Sequence, residues 1–390
     1  MARNLNADDV PEDWKYDLLD NLAHRCSGHT PSKSHSSYWN GGVKWISLSD
    51  SFRLDKGYVY VTDKQISHDG LKNSSAELHP AGTVVLVRDA GIGKSGVMAE
   101  SMAVSPHFIA WKCDNREKMY NWFLYNWLQF YKKEFERQAV GSTIKTIGLP
   151  FFKKLKIAAP PLPEQRKIAK ILQTWDRAIA TTEKLIDASK QQKKALMQQL
   201  LTGKKRFVGF EGEWSRIELN ELLDYTQPTA FIVQSTRYDD KFETPVLTAG
   251  KTFILGYTNE NSGIYKDGLP AIIFDDFTTA SQYVDFSFKV KSSAMKILTS
   301  KYDYPLRFVF ESMQRLDFSV GGHQRHWISI FSRLVISVPD KTEAQQISTV
   351  LKTVNIEISN LRKKLDALKL EKKALMQQLL TGNRRVKIDE

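Results

Sequence analysis

One stretch of this chain occurs twice, and this repeat limits what the chain can fold into. The eleven residues Lys193–Gly203 return without a change as Lys372–Gly382, 179 positions later. The same offset holds without a gap back to Pro160 and Pro339. Such a period is far longer than the units of about 20–50 residues that build solenoid proteins. The chain is therefore predicted to be a duplicated half-molecule, in which a globular segment is followed by the repeated segment.

Each copy of the repeated segment is predicted to form one long helix. Residues 164–201 contain neither Pro nor Gly, whereas three prolines come just before them and Gly203 follows. Pro before the first turn and Gly after the last turn are typical of helix ends. At 1.5 Å per residue, such a helix would be about 55 Å long.

The apolar residues of both helices recur at alternating spacings of four and three, which indicates a coiled-coil seam. The predicted seam residues are Ile168, Leu172, Trp175, Ile179, Leu196 and Leu200 in the first helix, and Ile347, Leu351, Val354, Ile358, Leu361, Leu365, Leu375 and Leu379 in the second. Four polar residues interrupt the pattern, namely Thr182, Ser189, Lys193 and Lys372.

The two helices are expected to pair with each other. Either direction of pairing is possible, because a whole globular segment connects them. The alternative is that each helix is a buried core element of its own half. We favour the pair, since a lone helix could not bury a narrow apolar stripe.

The segments before the helices are predicted to be two globular domains. They are rich in aromatic and β-branched residues, and runs bounded by Gly predict strands at 43–48, 82–87, 271–274 and 287–291, with a short aromatic helix at 119–135. Their ends look alike, but their interiors share little sequence. The predicted class is α+β, with an internal pseudo-repeat. The predicted boundaries are 1–159 for the first domain, 160–205 for the first helix, 206–338 for the second domain and 339–390 for the second helix.

The composition favours a polyanionic partner and a reducing compartment. Lys and Arg outnumber Asp and Glu by 56 to 44, which gives a formal charge of +12. Two cysteines are too few for a disulfide framework. Neither a signal peptide nor a long apolar run is present, so we expect no membrane association and a cytoplasmic location.

The sequence predicts no catalytic residue, no metal site and no bound cofactor. Gly91–Ser95 resembles the end of a phosphate-binding P-loop, but Arg88 stands where that motif needs its first Gly. A Gly-rich hairpin is expected there instead. His24, Cys26 and His29 are close together, but no second pair of ligands accompanies them. The Asn-Pro-Pro-aromatic motif of adenine N6-methyltransferases is absent as well.

Residues suited to DNA recognition occur in both globular segments. Arg and Gln make bidentate contacts to guanine and adenine, and Lys binds phosphates. The residues predicted to contact DNA on this basis are Lys44, Arg88, Lys94, Ser95, Lys145, Lys289, Lys291, Gly322, His323, Gln324 and Arg325.

Several of these segments resemble the specificity (S) subunits of Type I restriction–modification systems. Pro160–Ala169 is similar to the start of that family's repeated helix, and Lys194–Gly203 is similar to its end. Thr244–Gly250 and Phe274–Thr279 resemble one class of the family's target-recognition domains, which adds Thr278 and Thr279 to the predicted DNA contacts. The second helix departs from the pattern, because Asp340–Gln345 replaces the proline-rich start.

The resemblance implies a non-catalytic subunit that binds double-stranded DNA. Each target-recognition domain would read one half of an asymmetric bipartite target. The helix pair would set the gap between the halves and dock two methylating (M) subunits, and motor-nuclease (R) subunits would join for restriction. S-adenosylmethionine would serve the methylating subunits, and ATP with Mg²⁺ the motor-nuclease. A coiled-coil scaffold with two protein-binding modules is the alternative from another functional class.

Overall fold

The computed structural model describes residues 10–113, 118–142, 145–250, 252–318 and 326–388. It divides into two compact units. Unit 1 comprises residues 1–182 and 364–390, and unit 2 comprises residues 183–363. Both divisions fall inside the long helices. Each unit therefore contains one globular domain, one half of the first long helix and one half of the second.

The elements of the chain follow in sequence order. The strands of the first domain are β1 Lys15–Leu18, β2 His24–Ser27, β3 Trp39–Ile46, β4 Tyr58–Val59, β5 Lys64–Ile66, β6 Val84–Val87, β7 Ser95–Met98, β8 Ala103–Val104, β9 Phe108–Lys112 and β10 Lys156–Ala159. Its helices are α1 Leu19–Leu22, α2 His68–Lys72, α3 Asn121–Phe130, α4 Lys132–Gln138 and α5 Leu149–Lys153, and the long helix α6 Leu162–Leu200 follows.

The second half of the chain begins after α6. Its strands are β11 Ser215–Glu218, β12 Leu223–Thr226, β13 Thr244–Leu247, β14 Ile254–Thr258, β15 Ala271–Asp275, β16 Ser281–Val284, β17 Lys289–Val290, β18 Met295–Ser300 and β19 Val335–Val338. Its helices are α7 Leu219–Leu222, α8 Leu306–Met313 and the long helix α9 Lys341–Leu379. No helix of the described residues combines the length and the apolar character that a bilayer span requires.

The two globular domains share one strand topology. In unit 1 the main sheet has the order β2-β9-β6-β7-β4, and in unit 2 it has the order β12-β18-β15-β16. The smaller sheets are β5-β3-β8 and β14-β13-β17, each with one antiparallel and one parallel pair. The pairs β1-β10 and β11-β19 join the two ends of each domain. The two domains therefore have the same strand order although their interior sequences differ, and β4 is an additional strand of unit 1.

The local predictions were confirmed in outline and corrected in detail. Strands form within 43–48, 82–87 and 271–274, whereas the strand expected over 287–291 is reduced to Lys289–Val290. The aromatic helix expected over 119–135 breaks at Tyr131, whose φ of −87° and ψ of 8° end α3 before α4 begins.

The long helices pair antiparallel within each unit. In unit 1, Ile168 and Leu172 near the start of α6 share a core with Leu379 at the end of α9. In unit 2, Leu200 at the end of α6 shares a core with Ile347 near the start of α9. Each helix has 39 residues, which corresponds to a length of about 58 Å. The structure thus decides the direction that the sequence left open.

All of the predicted seam residues are buried or partly buried. The buried ones are Ile168, Leu172, Leu200, Ile347, Leu351, Val354, Ile358 and Leu379, and the partly buried ones are Trp175, Ile179, Leu196, Leu361, Leu365 and Leu375. The polar interruptions are accommodated by polar partners. Ser189 Oγ donates to Glu357 Oε1 at 3.2 Å, and Thr182 Oγ1 donates to the carbonyl of Ala178 at 2.8 Å.

An arginine clamp holds the start of each long helix. Arg385, which follows α9, donates from Nε and Nη2 to the buried carboxylate of Glu164 at 2.8 and 2.7 Å. Arg206, which follows α6, makes the same contacts with Glu343 at 2.8 and 2.6 Å. Both pairs are bidentate, which is the strongest form of an Arg–carboxylate contact. The clamps therefore tie the end of one helix to the start of the other within each unit.

Candidate nucleic-acid interface

Equivalent loops of the two domains carry four of the residues predicted to bind DNA, namely Arg88, Lys94, Thr278 and Thr279. The β6–β7 loop in unit 1 and the β15–β16 turn in unit 2 occupy the same place in the shared topology. Each contacts the segment that leads toward the last strand of its domain. We define edge 1 as residues 88–94 with 140–142 and 145–147, and edge 2 as residues 276–280 with 326–327.

The loop of edge 1 is a tight glycine-rich hairpin. The backbone N–H of Val87 donates to the carbonyl of Lys94 at 2.8 Å, and that of Gly93 donates to the carbonyl of Val87 at 3.0 Å. Gly93 has a φ of 81°, and a Cβ added there would lie 2.9 Å from the side chain of Lys132. Only Gly fits this position without strain. Strand β7 follows the loop directly, so the loop lacks the helix N-terminus on which a P-loop depends.

The second segment of edge 1 brings another lysine to this hairpin. Asp89 forms a β-bridge with Thr146, and the N–H of Ile147 donates to the carbonyl of Arg88 at 2.8 Å. Lys145 therefore lies next to the hairpin. A cavity of about 430 Å³ is lined by Ala90, Gly91, Ile92, Lys94, Lys132, Glu136 and Lys145.

The charge of this cavity suits an anion. Lys132 is already paired with Asp55, whose Oδ2 lies 2.6 Å from its Nζ. Among the described residues, neither Lys94 nor Lys145 forms an ion pair with a carboxylate. Lys94 Nζ lies 3.3 Å from the carbonyl of Ser51, and the Lys145 side chain is exposed. Glu136 also lines the cavity, but Lys94 and Lys145 outnumber it, so the remaining positive charge favours a phosphate group.

Edge 2 is built around a turn with hydroxyl groups. The carboxylate of Asp275 accepts hydrogen bonds from the N–H groups of Phe277 and Thr278 at 3.0 and 2.8 Å. Thr279 has a φ of 58°, which closes the turn. The side chain of Thr278 is exposed, and that of Thr279 is partly exposed. Such hydroxyls can contact phosphates or either kind of base.

A buried ion pair fixes edge 2 to its sheet. Asp276 and Lys296 are 1% and 0% exposed, and Lys296 Nζ lies 3.4 Å from Asp276 Oδ2. Asp276 also accepts two backbone hydrogen bonds at 2.8 Å, from Trp327 to Oδ1 and from His326 to its carbonyl. His326 and Trp327 are thereby attached to the turn. The adjacent Asp275 and Asp276 were visible in the sequence, but the partner on β18 was not.

Two residues predicted to bind DNA are buried, and we correct those predictions. The Ser95 side chain is 0% exposed and accepts a hydrogen bond from Gln129 Nε2 at 2.7 Å. Lys289 is 2% exposed, and its ammonium contacts Glu260 Oε2 at 2.9 Å and the carbonyl of Ser262 at 2.6 Å. Neither side chain can reach DNA unless it gives up these buried contacts.

The remaining predicted contacts are dispersed. Lys44 lies on β3 rather than on edge 1, and its ammonium is paired with Glu100. Lys291 follows β17, and its ammonium lies 3.3 Å from the Tyr238 hydroxyl. Arg88 is part of edge 1 and is partly buried. Gly322, His323, Gln324 and Arg325 lie outside the described residues.

Comparison with known proteins identifies the relatives of this chain. Residues 11–190 match the family described as the Type I restriction modification DNA specificity domain. The chain is 50% identical over 140 residues to the Type I restriction enzyme EcoR124I/EcoR124II specificity subunit of Escherichia coli, which is 35% of this chain and 34% of that protein. It is 24% identical over 97% of its length to the Type I restriction enzyme MjaVIII specificity subunit of Methanocaldococcus jannaschii, and this match covers 94% of that protein.

The fold is also similar to that of a solved structure. The crystal structure of the Type I restriction–modification S subunit from M. genitalium superposes with a TM-score of 0.66 and 14% sequence identity. The match covers 97% of both chains. The shared fold therefore includes both globular domains and both long helices.

Proposed function

We infer the function of this chain from the family to which it belongs, the specificity subunits of Type I restriction–modification systems. It is the subunit that gives such a system its DNA sequence specificity. We propose that unit 1 and unit 2 each recognise one half of a bipartite double-stranded target. The observation that supports this proposal is the equivalent placement of edge 1 and edge 2 in one shared topology.

The two half-sites are expected to differ, because the two edges offer different chemical groups. Edge 1 presents the cations of Lys94 and Lys145 around a rigid hairpin. Edge 2 presents the hydroxyl of Thr278 on a turn that is held by Asp276. Sequence specificity depends on which donors and acceptors reach the base edges, so unlike edges favour an asymmetric target.

In this proposal the long helices set the gap between the half-sites. Each helix contributes one half to each unit and is about 58 Å long. Half-sites that are one turn of B-DNA apart are separated by about 34 Å, so helices of this length suffice to span the gap. The same helices would dock two methylating subunits, and motor-nuclease subunits would join for restriction.

The chemistry would belong to the partner subunits. The methylating subunits would transfer a methyl group from S-adenosylmethionine to adenine N6 after flipping the base. The motor-nuclease would use ATP with Mg²⁺. This chain would supply the register of the complex on DNA, and we propose that the complex acts in the cytoplasm.

A genome-wide map of N6-methyladenine tests the proposal directly. Cells that contain this chain with its methylating subunits are compared with cells that lack only this chain. We expect one new motif with two unlike half-sites around a fixed gap. If a complex with active methylating subunits gives no motif, the DNA-reading function is wrong, and the scaffold becomes the better explanation.

Variants of edge 1 test how that half-site is held. Lys94→Ala and Lys145→Ala should each lower the slope of log affinity against log salt by about one, because each removes a phosphate contact. Lys72→Ala, an exposed substitution on α2, is the matched control. An unchanged salt slope in both edge variants would remove these two lysines from the interface.

The predicted base contact at Arg325 should affect sequence specificity, unlike the phosphate contacts of Lys94 and Lys145. Arg325→Ala is expected to cost about 1–3 kcal/mol of binding and to relax recognition at one half-site only. Methylation maps of the variant would show a degenerate position in that half-site. An equal loss at both half-sites would indicate a folding defect or a phosphate contact instead.

The gap is tested by lengthening the helices. Four residues inserted next to Thr182 add about 6 Å of helix, which corresponds to about two base pairs at 3.4 Å each. Because the helices pair antiparallel, a matched insertion next to Lys363 keeps the seam aligned. We expect the double insertion to lengthen the gap by one to two base pairs and to leave the half-sites intact. An unchanged gap would refute the role of the helices as a ruler.

A further inference from the structure

A thiol, an imidazole and a carboxylate meet in unit 1 beside β2, the outer strand of the main sheet. The side-chain donor atoms of Cys26, Glu77 and His79 all lie within 4.8 Å of one another. Cys26 is on β2, which is separated from β6 and edge 1 by β9. The cluster is therefore separate from the proposed DNA interface.

His79 is held rigidly, and its ring lacks partners. Its backbone exchanges two hydrogen bonds with Met102, at 2.8 and 3.0 Å, and the residue is 0% exposed. Among the described residues, neither ring nitrogen has a hydrogen-bond partner. A buried polar group without a partner is costly. A metal ion bound to one ring nitrogen would give this buried ring a partner.

The other two residues complement this ring. Cys26 is buried and is fixed by the pairing of β2 with Ala110 on β9. Glu77 is exposed, so its carboxylate can move. The ammonium of Lys112 lies 3.8 Å from the Glu77 carboxylate, and it would have to turn toward solvent when a cation binds. The Lys112 side chain is 20% exposed, so it already has access to solvent.

We propose that Cys26, His79 and Glu77 form a binding site for a zinc-like divalent transition metal, with water as the fourth ligand. Thiolate, imidazole and carboxylate are the ligands that Zn²⁺ uses in proteins, and three protein ligands with one water complete a tetrahedron. On binding, the Cys26 thiol loses its proton to solvent and a sulfur–metal bond forms. The metal ties the segment around His79 to β2.

The sequence did not indicate this site. His24, Cys26 and His29 were considered as ligands because they are close in the chain, and no metal was expected. Glu77 and His79 lie about fifty residues further on, and His79 pairs with Met102, which adjoins β8 of the smaller sheet. The three ligands are therefore brought together by the tertiary fold and not by their spacing in the sequence.

The test uses the full chain after chelation and measures zinc binding in three ways. Elemental analysis counts the bound zinc, Co²⁺ substitution reports thiolate ligation through its charge-transfer band, and alkylation followed by peptide mass spectrometry reports the reactivity of each cysteine. We expect about one zinc per chain. Zinc should slow alkylation of Cys26 at least about tenfold, whereas Cys113 serves as the internal reference.

Three variants separate metal ligation from folding. Cys26→Ser and Glu77→Gln should weaken zinc binding at least about tenfold, and Cys113→Ser should leave it unchanged. The Glu77 substitution is on the surface, so it does not threaten folding. If Cys26→Ser binds zinc as the parent chain does, or if Cys26 alkylates equally fast with and without zinc, the proposal is wrong.

Discussion

Replacing Arg385 with Gln is the sharpest test of how the long helices are held. Arg385 makes two hydrogen bonds of 2.8 and 2.7 Å to Glu164 and two of 2.6 Å to Asp13. Glu164 is 0% exposed. The substitution would therefore leave a buried carboxylate without its cation, which is a costly arrangement.

The expected loss of stability follows from the exposure of Arg385 and Glu164. Breaking a buried ion pair by removal of one member costs about 3–5 kcal/mol, and exposed pairs are worth less than about 1 kcal/mol. Glu164 is fully buried, but the Arg385 side chain is 41% exposed. We therefore expect a loss of about 3 kcal/mol in the stability of unit 1, at the low end of the buried range. This corresponds to about a hundredfold change in an opening equilibrium.

Hydrogen exchange followed by mass spectrometry measures this loss locally. Peptides that cover β1 and the first turns of α6 should lose about a hundredfold of protection in Arg385→Gln. The double variant Arg385→Gln with Glu164→Gln should regain part of this protection, because the buried charge is removed with its partner. Arg206→Gln is the matched control, and its loss should fall on peptides around Glu343.

Two results would refute this reasoning. If Arg385→Gln lowered protection by less than about fivefold, which is about 1 kcal/mol, the ion pair would contribute no more than an exposed one. The cost of Glu164→Gln is measured in the parent chain and again in the Arg385→Gln variant. If the two costs are equal, the two residues are not coupled.

Acid provides a second check of the same clamp. The hydrogen bond with Arg385 lowers the pKa of the Asp13 carboxyl below its ordinary value of 3.8. A group with a lowered folded pKa stabilises the fold above its unfolded pKa, and this stabilisation is lost as the pH falls through the folded pKa. Urea unfolding between about pH 5 and pH 2 should therefore show less acid dependence in Arg385→Gln than in the parent chain. Equal acid dependence would exclude this ion pair as its source.

The remaining predictions concern polar groups buried in unit 2. Lys193→Met removes one of two cations at the buried carboxylate of Glu311, from which Lys193 Nζ lies 2.9 Å and Arg307 Nη1 lies 3.8 Å. We expect a loss of about 2 kcal/mol in unit 2. The exposed Lys194→Met is the control and should change urea unfolding little. Asp276→Asn leaves the 0% exposed Lys296 without its anion; we expect a loss of about 3 kcal/mol and weaker methylation that tracks only the half-site read by unit 2. A uniform loss at both half-sites would contradict the placement of this pair beneath edge 2.

The sequence identified features that depend on residues close together in the chain. The exact repeat predicted two long helices, and both formed with nearly the expected ends, Leu162–Leu200 and Lys341–Leu379. The prediction of a Gly-rich hairpin at 91–94 was also confirmed. It rested on Arg88, which stands where a P-loop needs its first Gly. Periodicity and turn chemistry act over a few residues, and a single sequence records them directly.

Other features needed the tertiary structure, because they join residues that are far apart in the chain. Periodicity could not give the direction of the helix pair, since both directions bury the same stripe. The offset of the repeat could be measured in the sequence. It did not show that Arg385, which follows the second helix, would bind Glu164 at the start of the first helix. Ser95 and Lys289 looked like surface residues and are buried, since burial depends on what packs above a strand. The interiors of the two domains share a topology despite their different sequences, because many apolar combinations fill the same layers.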